Sequence, residues 1–289
     1  MDATEGRVEV DGHAVWYKRV GNDATPILLL HGGPGAGHDY LEPLEALATD
    51  RTVVFYDQLG CGNSDRPTDT SLWRIERFVR EVDTLRKALE LEKVHLLGHS
   101  WGGWLVIEYE LSKPQGVISL TLASTSASVR QFVSEATKLK AALPRATFEI
   151  MQRCEAVGDF ENPKYEAAVM EFYKRHLCRL DPWPEFLLRS FGNVDGNPVY
   201  ATMNGPNEFT VTGNLREWDR TDRLREIEVP TLITVGRYDE IGPNCAETLH
   251  KGIPNSEMEV FENSSHMAHA EEAEEYRRSL RRFLSRAEG

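Results

Sequence analysis

Short apolar runs alternate along this chain with longer stretches whose apolar residues recur at helical spacing. Ile27–Leu30 and Val53–Tyr56 are apolar at every position, the pattern of strands buried on both faces. Leu96-Leu97 and the runs 117–122, 231–235 and 258–261 extend the set. Residues 7–19 alternate around Asp11-Gly12 and predict an opening β-hairpin. Between the strands, 73–91 carries Phe78, Val82, Leu85 and Leu89 at helical spacing with charges opposite, and 103–111 reads as a further helix. The stretch 271–286 sets Ala273, Tyr276, Leu280 and Phe283 on one stripe, with acids at its start and arginines at its end, as the helix dipole favours. Strands alternating with helices predict an α/β fold: a mostly parallel central sheet flanked by helices on both faces.

The interval from Ser124 to Pro230 is too long for one crossover between strands. It holds amphipathic helical segments at 132–143 and 165–177, and Pro182, Pro184, Pro198 and Pro206 break its second half. Phe148, Phe172, Trp183, Phe186 and Phe191 give it core-forming aromatics. The expectation is a helical cap over 126–219, inserted above the active-site edge of a core made from 1–125 and 220–289.

Gly98-His99-Ser100-Trp101-Gly102 lies between an apolar strand and a helical stretch. In that context Gly-x-Ser-x-Gly places a serine on a sharp, strained turn at the end of the sheet, the nucleophile elbow of an α/β-hydrolase fold. The glycines are expected for steric reasons, because a side chain beside so tight a turn would strike the strand or the helix. A serine hydroxyl needs a base, and the base needs a group to hold its tautomer. In this fold the order is Ser, acid, His. Asp239 follows the strand 231–235 and His266 follows the strand 258–261, so both fall at the strand ends that carry Ser100. Ser100 is the expected nucleophile, His266 the general base and acid, and Asp239 the orienting carboxylate. His269, His31 and His99 compete for the second role, and Glu240 and Asp222 for the third; Asp222 precedes its strand and so lies at the wrong end. The glycine-rich run His31-Gly32-Gly33-Pro34-Gly35 after the strand Ile27–Leu30 offers backbone N–H groups for an oxyanion. Gly33 is the expected donor, with Gly32 as the alternative, and the Trp101 N–H is the second.

Composition narrows the class of partner. The chain has 289 residues and a formal charge of −13, which argues against nucleic acid and anionic membranes and mildly favours cationic substrates. No apolar stretch follows Met1 and no run is long enough to span a bilayer, so no membrane association is expected. The four cysteines (Cys61, Cys154, Cys178 and Cys245) lack zinc-site spacing and read as reduced thiols of a cytoplasmic protein. Cys61 near the site is expected to pack rather than react. No metal or organic cofactor is implied, and nothing specifies an oligomeric state.

Three motifs together resemble the proline iminopeptidase family of α/β-hydrolases: His31-Gly32-Gly33-Pro34-Gly35, Asp57-Gln58-Leu59-Gly60-Cys61-Gly62-Asn63-Ser64 and Gly98-His99-Ser100-Trp101-Gly102-Gly103. Met203-Asn204-Gly205-Pro206-Asn207-Glu208-Phe209 and Gly236-Arg237-Tyr238-Asp239-Glu240 make it most similar to the branch containing the tricorn-interacting aminopeptidase. The resemblance runs through the whole chain. It implies a serine aminopeptidase releasing N-terminal residues, proline or another apolar residue, from short peptides through an acyl-enzyme. It also implies that Glu208 and Glu240 bind the free α-ammonium of a short peptide or aminoacyl amide, fixing the distance from the terminus to the scissile bond. The chain departs from the family at His269, where an apolar residue is usual, and at Leu59 and Asn63, where basic residues are common. An amino-acid amidase or a tailoring hydrolase for a small natural product would use the same groups. A non-catalytic ligand-binding protein of this fold is the alternative from another class.

Overall fold

The fully apolar four-residue runs become inner strands of an eight-stranded sheet in the computed structural model, which describes residues 3–21 and 24–289. In chain order the strands are β1 (Ala3–Val10), β2 (His13–Val20), β3 (Ile27–Leu30), β4 (Val53–Tyr56), β5 (Val94–His99), β6 (Val117–Ala123), β7 (Thr231–Gly236) and β8 (Ser256–Phe261). Across the sheet the order is β1-β2-β4-β3-β5-β6-β7-β8. β1 and β2 form the expected hairpin, with Val10 opposite His13, and β2 runs antiparallel to β4. The remaining pairings are parallel. The helices are α1 (Ile75–Ala88), α2 (Trp101–Leu111), α3 (Val129–Ala141), α4 (Arg145–Val157), α5 (Pro163–His176), α6 (Glu185–Val194), α7 (Pro198–Met203), α8 (Pro243–Gly252), α9 (Ala268–Glu271) and α10 (Ala273–Ala287).

Alternation within each strand sorts side chains to two faces. On β3, Leu28 and Leu30 join one buried cluster, and Ile27 and Leu29 join the other; β4 divides Val54 and Tyr56 from Val53 and Phe55 in the same way. Phe78 and Val82 of α1, Leu105 of α2 and Leu249 of α8 cover the first face. Leu280 and Phe283 of α10 and Leu41 and Leu44 of the 3-10 segment Asp39–Thr49 cover the second. Burying one such side chain contributes roughly 1.5–3 kcal/mol, so a strand apolar at every position is stable only with both faces covered.

Two helix expectations are corrected. The predicted 73–91 helix is shorter, because the chain turns through a 3-10 segment at Thr70–Leu72 and because Glu90 takes a left-handed φ of 54° that ends α1. The predicted 271–286 helix is broken at Glu272 into α9 and α10. The break lets the Glu272 carboxylate accept Asn263 N at 3.0 Å and Ser264 Oγ at 2.6 Å, so the segment before His266 is braced at the expense of helix continuity. Prolines expected as breakers also start helices: Pro198 occupies the first turn of α7, where a missing N–H costs nothing.

Helices α3 to α7 all lie between β6 and β7. The chain leaves and returns at one place, where Ser128 bridges Asp219 and Arg220 N donates to Ala127 O at 2.8 Å. Phe172 is wholly buried, whereas Phe148, Trp183, Phe186 and Phe191 are half-buried.

Strand order reverses between β3 and β5: the chain goes from β3 to β4 on one side, then crosses to β5 on the other. In open parallel sheets the crevice at such a reversal, beyond the strand C-termini, is where ligands bind. Ser100 leaves β5 there with φ 56° and ψ −124°, a conformation costing a non-glycine residue about 1–3 kcal/mol. Ser100 N donates to Ala123 O at 2.9 Å, and Thr125 Oγ1 and Gly103 N both donate to Ser100 O at 2.8 Å. A Cβ on Gly98 would stand 2.2 Å from Gly102 O, and one on Gly102 would stand 2.0 Å from Leu30 O. Both obstacles are backbone and cannot rotate aside. Gly102→Ala should therefore cost about 3 kcal/mol or more. Gly12→Ala, in the hairpin turn with nothing within 4 Å, should cost about 1 kcal/mol for its positive φ alone. Urea unfolding of the two variants checks this; equal losses would show that crowding at the elbow is not limiting.

Candidate active site

Loops from four parallel strands meet at this edge. The loop after β7 carries Asp239 and Glu240, the loop after β8 carries His266, β5 leads to Ser100, and β3 leads to the glycine-rich run. His266 Nδ1 donates to Asp239 Oδ1 at 2.8 Å, and both side chains are buried. Asp239 Oδ1 also accepts Ile241 N at 2.9 Å, which fixes the carboxylate. Ser100 and His266 wall the same cavity of about 710 Å³, together with Gly32, Gly33 and Glu208. They are not hydrogen-bonded to each other. Catalytic contacts of this kind commonly tighten only when substrate arrives.

The rival histidines are otherwise engaged. His99 meets Tyr40 Oη through Nδ1 and His266 O through Nε2, each at 2.9 Å. His31 Nε2 accepts Gln58 N at 3.0 Å while Nδ1 meets Gly32 O. His269 Nε2 meets Tyr40 O at 2.9 Å. Burial pushes His99 well below the ordinary imidazole range and His31 and His269 down to about 4, so all three are neutral structural groups. Asp222 lies in the 3-10 segment Thr221–Glu226 before β7, far along the chain from that strand's C-terminal end.

The two glycines differ in their partners: Gly32 N donates to Tyr40 Oη at 2.7 Å, while Gly33, with a φ of 110°, also lies on the cavity wall. Trp101 opens α2, so its N–H belongs to the first helical turn and has no intrahelical partner. Its indole is turned away, donating to Gln58 Oε1 at 2.8 Å.

The two glutamates are not equivalent. Glu208 lies on the cavity wall, and Tyr200 Oη donates to its Oε1 at 2.7 Å. Burial raises its carboxyl against the lowering by that hydrogen bond and by His266. Glu240 does not wall the cavity. It is buried, with Oε1 3.9 Å from His266 Nε2 and Oε2 unpartnered. Burial drives its carboxyl well above the carboxylate range, against the pull of His266 and with the push of Glu208 and Asp239. For His266, burial favours the neutral ring, but Asp239, Glu240 and Glu208 outweigh it and raise the imidazole to about 9.

Sequence reading missed the struts. Asp57 and Gln58, directly after β4, hold the glycine-rich loop: Asp57 Oδ1 accepts His38 N and Nδ1 at 2.8 Å each, and Gln58 Nε2 donates to His31 O at 2.8 Å. Asn63 N and Nδ2 complete the Asp57 shell at 2.8 and 3.1 Å, so the residue that replaces a basic one here anchors the turn. The carbonyl of His176, last in α5, accepts both Glu240 N and His266 N, at 3.1 and 3.2 Å. The signal available was an Asp-Gln pair at the end of a buried strand; nothing local marks His176. Cys61 is buried and donates its thiol to Gln58 O at 3.0 Å, a packing role. His38, Asp39 and Glu42 bring their ligand atoms within 4.8 Å, but Arg189 spans the two carboxylates and His38 is committed to Asp57.

Known proteins share the fold and much of the sequence. The alpha/beta hydrolase fold family matches residues 25–273. The chain is 44% identical to the proline iminopeptidase of Saccharolobus solfataricus, over 98% of this chain and 93% of that one. It is 42% identical to the proline iminopeptidase of Heyndrickxia coagulans, covering 98% and 99%. The crystal structure of proline iminopeptidase from Mycobacterium smegmatis superposes with a TM-score of 0.93 at 38% identity, covering 98% of each chain.

The Asp57 strut carries a pH signature. Burial would raise Asp57, but hydrogen bonds from His38 and Asn63 and the nearby imidazoles hold it below the ordinary value. A depressed carboxyl stabilises the fold above its unfolded pKa, and that contribution is lost as pH falls through the folded one. All four partners are donors, so Asp57→Asn places an amide NH₂ against a donor. It should lose about 3 kcal/mol near pH 6, and its deficit against the parent protein should narrow toward pH 3. Denaturant titration at both pH values reads this; a deficit independent of pH would contradict it.

Proposed function

This chain belongs to the proline iminopeptidase family of α/β-hydrolases, and we propose that Ser100, His266 and Asp239 carry its chemistry as nucleophile, general base and acid, and orienting carboxylate. The protein is a serine aminopeptidase that releases N-terminal residues from peptides. The observation that carries the residue assignment is the buried His266–Asp239 pair sharing a cavity wall with the strained Ser100. His266 Nε2 takes the Oγ proton as Oγ bonds to the scissile carbonyl carbon. The Gly33 and Trp101 N–H groups receive the oxyanion. The carbon–nitrogen bond then breaks, the proton on Nε2 passes to the departing amine, and water repeats the sequence to free the acid.

Substrate selection follows from the same wall. Glu208 faces the cavity with no Lys or Arg partner among the described residues, which suits an incoming α-ammonium; Glu240, beside His266 Nε2, is the second carboxyl group proposed to meet it. A cationic terminus held there puts the first peptide bond at Ser100 and selects short, free-amine peptides and aminoacyl amides. Leu177, Leu187, Phe191 and Val194 give an apolar lining suited to proline or another apolar side chain. The segment 126–219 acts as the cap, supplying these walls and Glu208 while limiting access to short chains. No described helix is long and apolar enough to cross a membrane. A cytoplasmic setting, with peptides rather than nucleic acid as partners, fits the four buried free thiols and the charge of −13.

Kinetics test the roles. Ser100→Ala and His266→Ala should each lower kcat on prolyl-4-nitroanilide by about 10⁴-fold or more, and Asp239→Asn by about 10⁴-fold. Glu208→Gln should lower kcat/KM for that substrate about 100-fold while leaving 4-nitrophenyl propionate, which has no amine, within a few-fold. Equal loss on both substrates would contradict a role in binding the ammonium, and undiminished turnover by the Ser100 or His266 variants would overturn the triad.

A further inference from the structure

The proton that His266 must give up has a second claimant. Asp239 engages Nδ1, and Glu240 stands 3.9 Å from Nε2, the atom that must accept the serine proton. Glu240 is fixed there: its backbone N–H is tied to His176 O, its side chain is buried, and its Oε2 has no partner. The other groups around the imidazole supply no positive charge. His99 packs against the ring at 4.7 Å and His269 lies beyond it, both neutral. His176 contributes a backbone carbonyl, and burial raises Tyr173 and Tyr200 far above the physiological range, so they stay neutral. Among the described residues, no Lys or Arg pairs with Asp239, Glu240 or Glu208. Buried Asp239, Glu240 and Glu208 crowd one imidazole, and negative charge held among them needs a proton or another cation beside it.

We propose that Glu240 holds a proton on His266 in the empty enzyme, and that the substrate's α-ammonium replaces that proton as the compensating charge, freeing Nε2 to accept the Ser100 proton. The inference rests on the triad proposed above and goes beyond ammonium binding, because it makes the free amine a switch for the base. The exchange balances: a protonated enzyme and an ammonium substrate give a complex with neutral His266 and one proton released to water. The imidazole's rise to about 9 agrees with a proton held too tightly there for efficient base catalysis at neutral pH. Glu240 is thus a positioning residue for the proton on His266. A peptide with a blocked terminus would occupy the cavity without arming the base.

The test compares two substrates on the intact enzyme. Activity rises with pH as the base deprotonates. For 4-nitrophenyl propionate, kcat/KM should inflect at the high value of the empty enzyme; for prolyl-4-nitroanilide, kcat should inflect about one unit lower or more. Glu240→Gln should lower the ester inflection and speed ester hydrolysis at pH 7 about tenfold, while slowing release of proline. A merely structural glutamate would reduce both activities with unmoved inflections. Coincident inflections in the parent enzyme, or parallel loss of both activities in the variant, overturn the proposal, and the parent comparison decides alone if the variant does not fold. Either result leaves the triad standing, since only retained activity in the Ser100 or His266 variants would remove it.

Discussion

The close approach of three backbone segments around Ser100 governs this molecule. Leu30 at the end of β3, the strained turn and the first turn of α2 are packed so tightly that Gly98 and Gly102 leave no room for a side-chain carbon. That contact fixes the serine on the reversal between β3 and β5, and the glycine-rich loop from β3 arrives beside it as a consequence. Strain of this kind persists only where the surroundings over-determine it, and here hydrogen bonds to Ala123, Gly103 and Thr125 do so.

Around that point, loops are held by residues that do no chemistry. Asp57 and Gln58 tie the far end of the glycine-rich run and the Trp101 indole to β4. Glu271 accepts Ser265 Oγ and Arg179 N, and Glu272 accepts Asn263 N and Ser264 Oγ, so the approach to His266 is braced from both sides. One carbonyl, at the end of α5, receives the amides of both Glu240 and His266. The inserted helices are therefore joined to the loops that carry Asp239 and His266, and a shift of α5 would move both together. Such support is what keeps a reactive constellation near its working geometry.

Inner strands, hairpin and elbow were legible because each leaves a local mark: an unbroken apolar run, an Asp-Gly turn, glycines spaced around a serine. Positions of Asp239 and His266 at the same edge followed from their places after apolar runs. Less was legible wherever a distant side chain decides. Tyr40 accepts a hydrogen bond from the Gly32 amide. Glu272 ends α9 just ahead of the apolar stripe that begins at Ala273, and its carboxylate goes to the segment before His266. The two motifs that carry Glu208 and Glu240 gave no sign that one lines the cavity and the other stands beside His266 Nε2. Local periodicity carries no information about such depth, which arises only when loops from separate strands converge.

The central claim is that a buried imidazole drives Ser100 against a carbonyl held by an unblocked, cationic terminus. The most direct measurement treats the enzyme with the diphenyl phosphonate analogue of proline and with its N-acetyl form, then maps the modified residue by peptide mass spectrometry. The account predicts a single adduct on Ser100, formed far faster by the free-amine reagent. Modification at another residue, or equal rates for the two reagents, would contradict it.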